Sequence, residues 1–63
     1  MRRIAIYCFY EKTGRLNQFN LYYLEALQQQ ATRVIFVANG LLQESAQAKL
    51  LAQGVEVIVR PNQ

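Results

Sequence analysis

The chain predicts an α/β fold, and three observations carry that prediction. Three short runs, 3–10, 33–38 and 55–61, are rich in β-branched and aromatic residues, as strands are. Between them lie two stretches, 18–31 and 41–53, built of helix formers with apolar residues recurring at helical steps. Strands that alternate with helices through short connections imply parallel pairing and right-handed crossovers. The expected architecture is a Rossmann-like β-α-β-α-β unit on a three-stranded parallel sheet.

Each element follows from its residues. In "RIAIYCFY" (3–10), Ile4, Ile6 and Cys8 point one way while Ala5, Tyr7 and Phe9 point the other. Both faces are apolar, which is how a parallel strand covered on both sides reads. "EKTGRLN" (11–17) is a polar loop around one glycine. Asn17 is the expected N-cap of the helix over 18–31, whose apolar stripe is Phe19, Tyr23, Leu24, Leu27 and Ala31. "RVIFVA" (33–38) is the second strand, apolar on both faces and ended by Asn39-Gly40. Asn-Gly is also a hairpin signal, but a helical pattern follows it rather than a strand. "LLQESAQAKLLAQ" (41–53) is the second helix, with Gly54 at the left-handed C-cap position. "VEVIVRP" (55–61) is the third strand, with Glu56, Ile58 and Arg60 on one face and Pro61 closing it.

The second strand carries no polar residue after Arg33 and so suits the centre of the sheet. The expected order is 3-2-1, with both helices on one face; the alternative, 2-1-3, puts one helix on each face. In the first case the helix-free face exposes Tyr, Phe, Val and Ile side chains. A large exposed apolar patch marks an interaction surface. The expectation is therefore that 1–63 is a half domain, a fragment of a longer protein, or that it pairs with itself.

Size and composition bound the function. A chain of 63 residues makes one domain at most, and at this size folding buries only about 60% of the unfolded surface. Cys8 is the single cysteine and there is no His, which leaves neither an intrachain disulfide nor a zinc site. Net charge is +3, but Arg2, Arg3, Lys12, Arg15, Arg33, Lys49 and Arg60 are scattered. No basic stripe tracks phosphates, so nucleic acid is not an expected partner. No apolar run approaches the roughly 20 residues of a membrane span. The start "MRRIAIYCFY" has the basic head and apolar stretch of a signal peptide, but it carries two Tyr and leads into "EKTGR" without a small-residue cleavage site. The expected location is cytoplasmic, and an unpaired cysteine agrees with a reducing compartment.

Little in the chain promises catalysis. Cys8 lies mid-strand among apolar neighbours and reads as a buried small hydrophobe. Glu11 and Glu44 stand near carboxyl ends of strands, where a carboxylate pair does acid-base work; in the first turn of a helix, Glu44 equally complements the dipole. Phe19, Tyr22 and Tyr23 read as core aromatics before they read as a sugar platform. Gly14 beside Lys12, Thr13 and Arg15 offers backbone amides and two cations to a phosphate at the start of the first helix, or is simply a solvated turn. Both nucleotide fingerprints, G-x-G-x-x-G and the P-loop, are missing. Asn39 and Gly40 make a tight turn that would also line a crevice above the sheet.

The opening "RIAIYCFYEKTGRL", the strand-turn "VIFVANG" and the closing "VEVIVRPNQ" stand in an order and spacing that resembles the amino-terminal end of the rhamnan synthesis F family, across all 63 residues. These are proteins of bacterial polysaccharide and lipopolysaccharide biosynthesis. The same landmarks are similar to the start of inverting glycosyltransferases of the large family-two type. By that resemblance Tyr7 to Glu11 match the loop near the nucleotide base, Ala38-Asn39-Gly40 match the second loop, and Asn62 begins the third. Ala38 stands where many of those transferases have an Asp. The resemblance implies a rhamnosyltransferase-like parent with a nucleotide-diphosphate sugar as ligand. Tyr10, Glu11, Asn39 and Gly40 from that resemblance, with Lys12, Gly14 and Arg15 from the phosphate reading of the first loop, are the expected crevice residues. The resemblance puts the Asp-x-Asp pair, any divalent metal and the catalytic base past residue 63, so the segment itself holds no catalytic residue, metal or cofactor. Its other partner is the remainder of the parent chain, or a second copy, over the apolar sheet face. The rival expectation is a non-enzymatic α/β interaction module that self-associates through that face. A third reading, a small phospho-receiver-like domain, fares worse, because its first strand usually ends in acidic residues around a phosphorylated Asp and this chain contains no Asp.

Overall fold

The computed structural model describes residues 3–60. The elements are β1 (Ile4–Phe9), α1 (Gln18–Gln30), β2 (Arg33–Asn39), α2 (Glu44–Ala52) and β3 (Glu56–Arg60). All three strands are parallel, with Ile6 opposite Ile35 and Val37 opposite Ile58. Counted in chain order from the β1 edge, the sheet runs β1-β2-β3 rather than 3-2-1. The two notations start from opposite edges, and both put β2 in the centre. The 2-1-3 alternative, with β1 in the centre, is not the one formed. The assignments made to Arg2, Pro61 and Asn62 lie outside the described residues.

Both helices lie on one face of the sheet. Phe9, Val34, Phe36, Ala38 and Val55 are buried there in one cluster with Leu24 of α1 and Leu50 of α2. Phe36 is at its centre, its ring 5.5 Å from that of Tyr7 and 5.1 Å from that of Phe9. Burial of aromatic and branched side chains on this face is the main source of stability.

The other face has no helix and differs from expectation. Its exposed side chains include Ile4, Ile6 and Ile58 with Cys8, Arg33, Asn39, Glu56 and Arg60, while Ile35 and Val37 are half-buried. Tyr7, Phe9 and Phe36 are not on it, because strand alternation turns them toward the helices. The same alternation corrects Cys8: it is exposed rather than buried. An apolar sequence on both sides of β1 does not mean that both sides are covered.

The helices are placed by specific bonds. The Asn20 backbone N–H donates to the Asn17 side chain at 2.9 Å and the Asn17 N–H donates to Asn20 Oδ1 at 3.1 Å, a capping box with Asn at its third position. Asn20 Nδ2 also donates to the Tyr7 hydroxyl at 2.8 Å, tying the cap to β1. This turns α1 so that Leu24 is buried while Leu27 and Ala31 pack against the core. The expected stripe is corrected at one end, since Phe19 is 79% exposed and Tyr23 and Tyr22 are exposed as well. α2 begins at Glu44, not Leu41, because 41–43 cross over the first loop before the helix starts. Gln28 Nε2 donates to the Gln53 carbonyl at 2.7 Å and links the two helices.

Candidate functional site

Parallel strands bring the β1–α1 and β2–α2 loops to the same end of the sheet. There they are bonded to each other. The Gln43 N–H donates to the Gly14 carbonyl at 2.9 Å, and Gln43 Nε2 donates to the Thr13 carbonyl at 3.2 Å. Gly14 is the pivot. Its N–H donates to the Glu11 carbonyl to close a turn, and its φ of +70° is one that only glycine adopts freely. A Cβ there would stand 2.9 Å from the Leu41 carbonyl oxygen, so the absence of a side chain is what lets the second loop cross the first.

Beside this crossing is an open recess of about 310 Å³ lined by Arg15, Leu16, Gln43, Ser45, Ala46 and Lys49. The first turn of α2 forms one wall and the entry to α1 the other. Its polar groups are a guanidinium, an ammonium, a hydroxyl and a carboxamide, with no carboxylate among the lining side chains. That set suits an anionic, oxygen-rich ligand.

The sequence-predicted crevice residues divide. Arg15 lines the recess, and Gly14 supports it by holding the loop. The side of Gly14 on which a Cβ would stand is filled by Leu41. Tyr10, Glu11 and Lys12 are exposed on the outside of the turn, where the Glu11 carboxylate accepts from the Thr13 N–H and hydroxyl at 3.5 and 3.4 Å. Asn39 ends β2 on the helix-free side, and the Gly40 N–H donates to the Arg60 carbonyl at 2.8 Å. The two loops therefore meet, but Asn39 and Gly40 do not line the recess. Gln43, Ser45 and Lys49, which do, were not singled out for a site from sequence. They stand beside Arg15 where the second loop crosses the first and α2 begins at Glu44. Glu44 occupies the first turn of α2, where its charge complements the dipole.

Electrostatics elsewhere are concentrated in one ion pair on the helix-free face. Arg33 Nε and Nη2 both donate to Glu56 at 2.7 Å. These hydrogen bonds hold the Glu56 carboxyl below its ordinary value, against the opposing effect of desolvation and with the Arg33 charge adding to the lowering. The same bonds raise Arg33 above its ordinary value. Among the described residues no cluster of His, Cys, Asp and Glu is placed to hold a metal ion, and no helix is long and apolar enough to cross a membrane.

In comparison with known proteins, no family model, no curated protein and no solved structure matches this chain.

Proposed function

We propose that this chain is the amino-terminal part of a glycosyltransferase-like, rhamnosyltransferase-like protein of bacterial polysaccharide or lipopolysaccharide biosynthesis. In this reading it supplies one wall of a nucleotide-diphosphate-sugar site above a Rossmann-like sheet, in the cytoplasm, and the parent's further residues supply catalysis and any divalent metal. The motif resemblance motivates it. The observation that carries it is the recess at the carboxyl-end rim, where Arg15 and Lys49 flank donors and no carboxylate is among the lining side chains. Titrating a nucleoside-diphosphate deoxyhexose into isotope-labelled protein should move the resonances of Arg15, Gln43, Ser45 and Lys49, and Arg15→Ala should weaken the response. No movement in 10–15 or 39–49 at saturating ligand would sink the reading.

A second reading is favoured by the exposure of Ile4, Ile6 and Ile58 on the helix-free face. It is a small α/β interaction module whose face is covered by a second copy or by the remainder of a longer chain. Sedimentation separates the two: self-association belongs to the second reading, and ligand response to the first.

A further inference from the structure

The sheet has two free edges, and they differ. β1 carries no charged residue, whereas β3 carries Glu56 and Arg60 on either side of Ile58. The direction of the backbone groups on β3 is fixed by the Arg60 carbonyl, which accepts from Gly40 N–H at the end of β2. Backbone groups alternate along a strand. Glu56, Ile58 and Arg60 therefore turn their N–H and C=O toward β2, and Val57 and Val59 turn theirs outward. The outward groups need partners or water.

We propose that a second copy of this chain pairs antiparallel along β3, across a two-fold axis through Ile58, making one continuous six-stranded sheet. This rests on the self-association of the second reading but moves it from the open face to an edge. A two-fold requires a self-complementary strand, and β3 is one. With Ile58 opposite the partner's Ile58, each Val57 exchanges its N–H and C=O with the partner's Val59. All outward groups on the strand are then paired. On the helix-free side Glu56, already bonded to Arg33 of its own chain, also faces the partner's Arg60 at both ends, so the charges match in this register, while shifting the strands by two residues sets Glu56 or Arg60 against Ile58.

The apolar exposure lies along the same edge. Ile58 is 48% exposed and Val59 45% exposed, on opposite faces of β3. In α2, Ser45 and Lys49 face the recess beside α1. Helical geometry then turns Leu51 to the opposite flank, above β3's free edge, and Leu51 is 58% exposed. Pairing along β3 sets Ile58 against the partner's Ile58 and Val59 against the partner's Val57, brings Leu51 toward the seam on the helix side, and reduces the exposure of all three. The uncharged β1 edge has no such register: it accepts any extended chain and selects none.

The test is charge exchange, read by sedimentation at up to about 1 mM protein, which covers weak association. The chain should dimerise. Arg60→Glu alone and Glu56→Arg alone each set like charges opposite one another at both ends, and each should weaken its homodimer more than about tenfold. An equimolar mixture of these two variants restores opposite charges, and dimers should return. In a Cys8→Ser background, Ile58→Cys should form a covalent dimer with oxidised glutathione as electron acceptor, because facing residues at such a position have Cα atoms about 4.5 Å apart. Ile6→Glu, on the open face and the other edge, should leave the dimer intact. Amide exchange of the wild type needs no variant: Val57 and Val59 N–H should gain protection as concentration rises. A monomer throughout overturns both this proposal and the self-association reading. A dimer lost with Ile6→Glu but kept with Arg60→Glu overturns the β3 edge alone.

Discussion

At the scale of single residues, two glycines with the same backbone sign do different jobs. Gly54 has φ +83° with open space where a Cβ would stand, so Gly54→Ala meets only the cost of left-handed backbone, about 1 kcal/mol. Gly14→Ala meets that cost and the Leu41 backbone as well, and should lose more than about 2 kcal/mol in urea unfolding. Only Gly14 should also disturb the recess, because it holds the loop that carries Arg15. The Arg33–Glu56 pair gives a pH prediction. The folded Glu56 carboxyl binds its proton more weakly than the unfolded one. Its contribution is therefore present above the ordinary carboxylate range and disappears as pH falls through the lowered folded value. Arg33, raised in the folded state, contributes below its ordinary value and loses that only in strong alkali. Between about pH 5 and pH 2 the wild type should lose slightly more melting temperature than Glu56→Gln, slightly because both groups are exposed.

At the scale of elements, α1 shows why periodicity alone misplaces a face. Phe19, Tyr23, Leu24, Leu27 and Ala31 share a helical stripe, yet the capping box and the Asn20–Tyr7 bond rotate the helix so that Leu24 takes the centre. Leu24→Ala should cost about 2–5 kcal/mol, and Phe19→Ser less than about 0.5 kcal/mol, both by chemical denaturation. Asn17→Ala removes one side of the box and should cost about 1 kcal/mol. The cap itself was legible, since Asn17 precedes the helical pattern. The start of α2 was not, because Leu41 and Leu42 are good helix formers, and the bonds from Gln43 to the Gly14 and Thr13 carbonyls hold them in the crossing.

At the scale of the whole molecule, one covered face carries the fold. A chain of this length has roughly 3–9 kcal/mol of stability to lose. Phe36→Ala, at the centre of the helix-covered face, should cost about 3–5 kcal/mol and leave much of the protein unfolded. Ile6→Thr, on the helix-free face and 64% exposed, should change the unfolding midpoint little, by less than about 0.5 kcal/mol. Circular dichroism in denaturant checks both. The contrast follows from topology: two successive right-handed crossovers across neighbouring strands put both helices on the same side.

The sequence by itself determined the alternation of strands and helices, their parallel pairing, the cap at Asn17, the glycine at the end of α2 and the mixed face of Glu56, Ile58 and Arg60. All but the pairing are local properties, set by propensity, period and turn chemistry within a few residues; the pairing follows from the alternation of strands and helices through short connections. Tertiary structure alone decided that Cys8 and Phe19 face water and that Arg15 meets Ser45 and Lys49 while Asn39 and Gly40 stand apart from them. Each of those depends on what lies across a gap from a residue distant in the chain, and an apolar pattern states that a side chain suits burial without stating that a neighbour arrives to bury it.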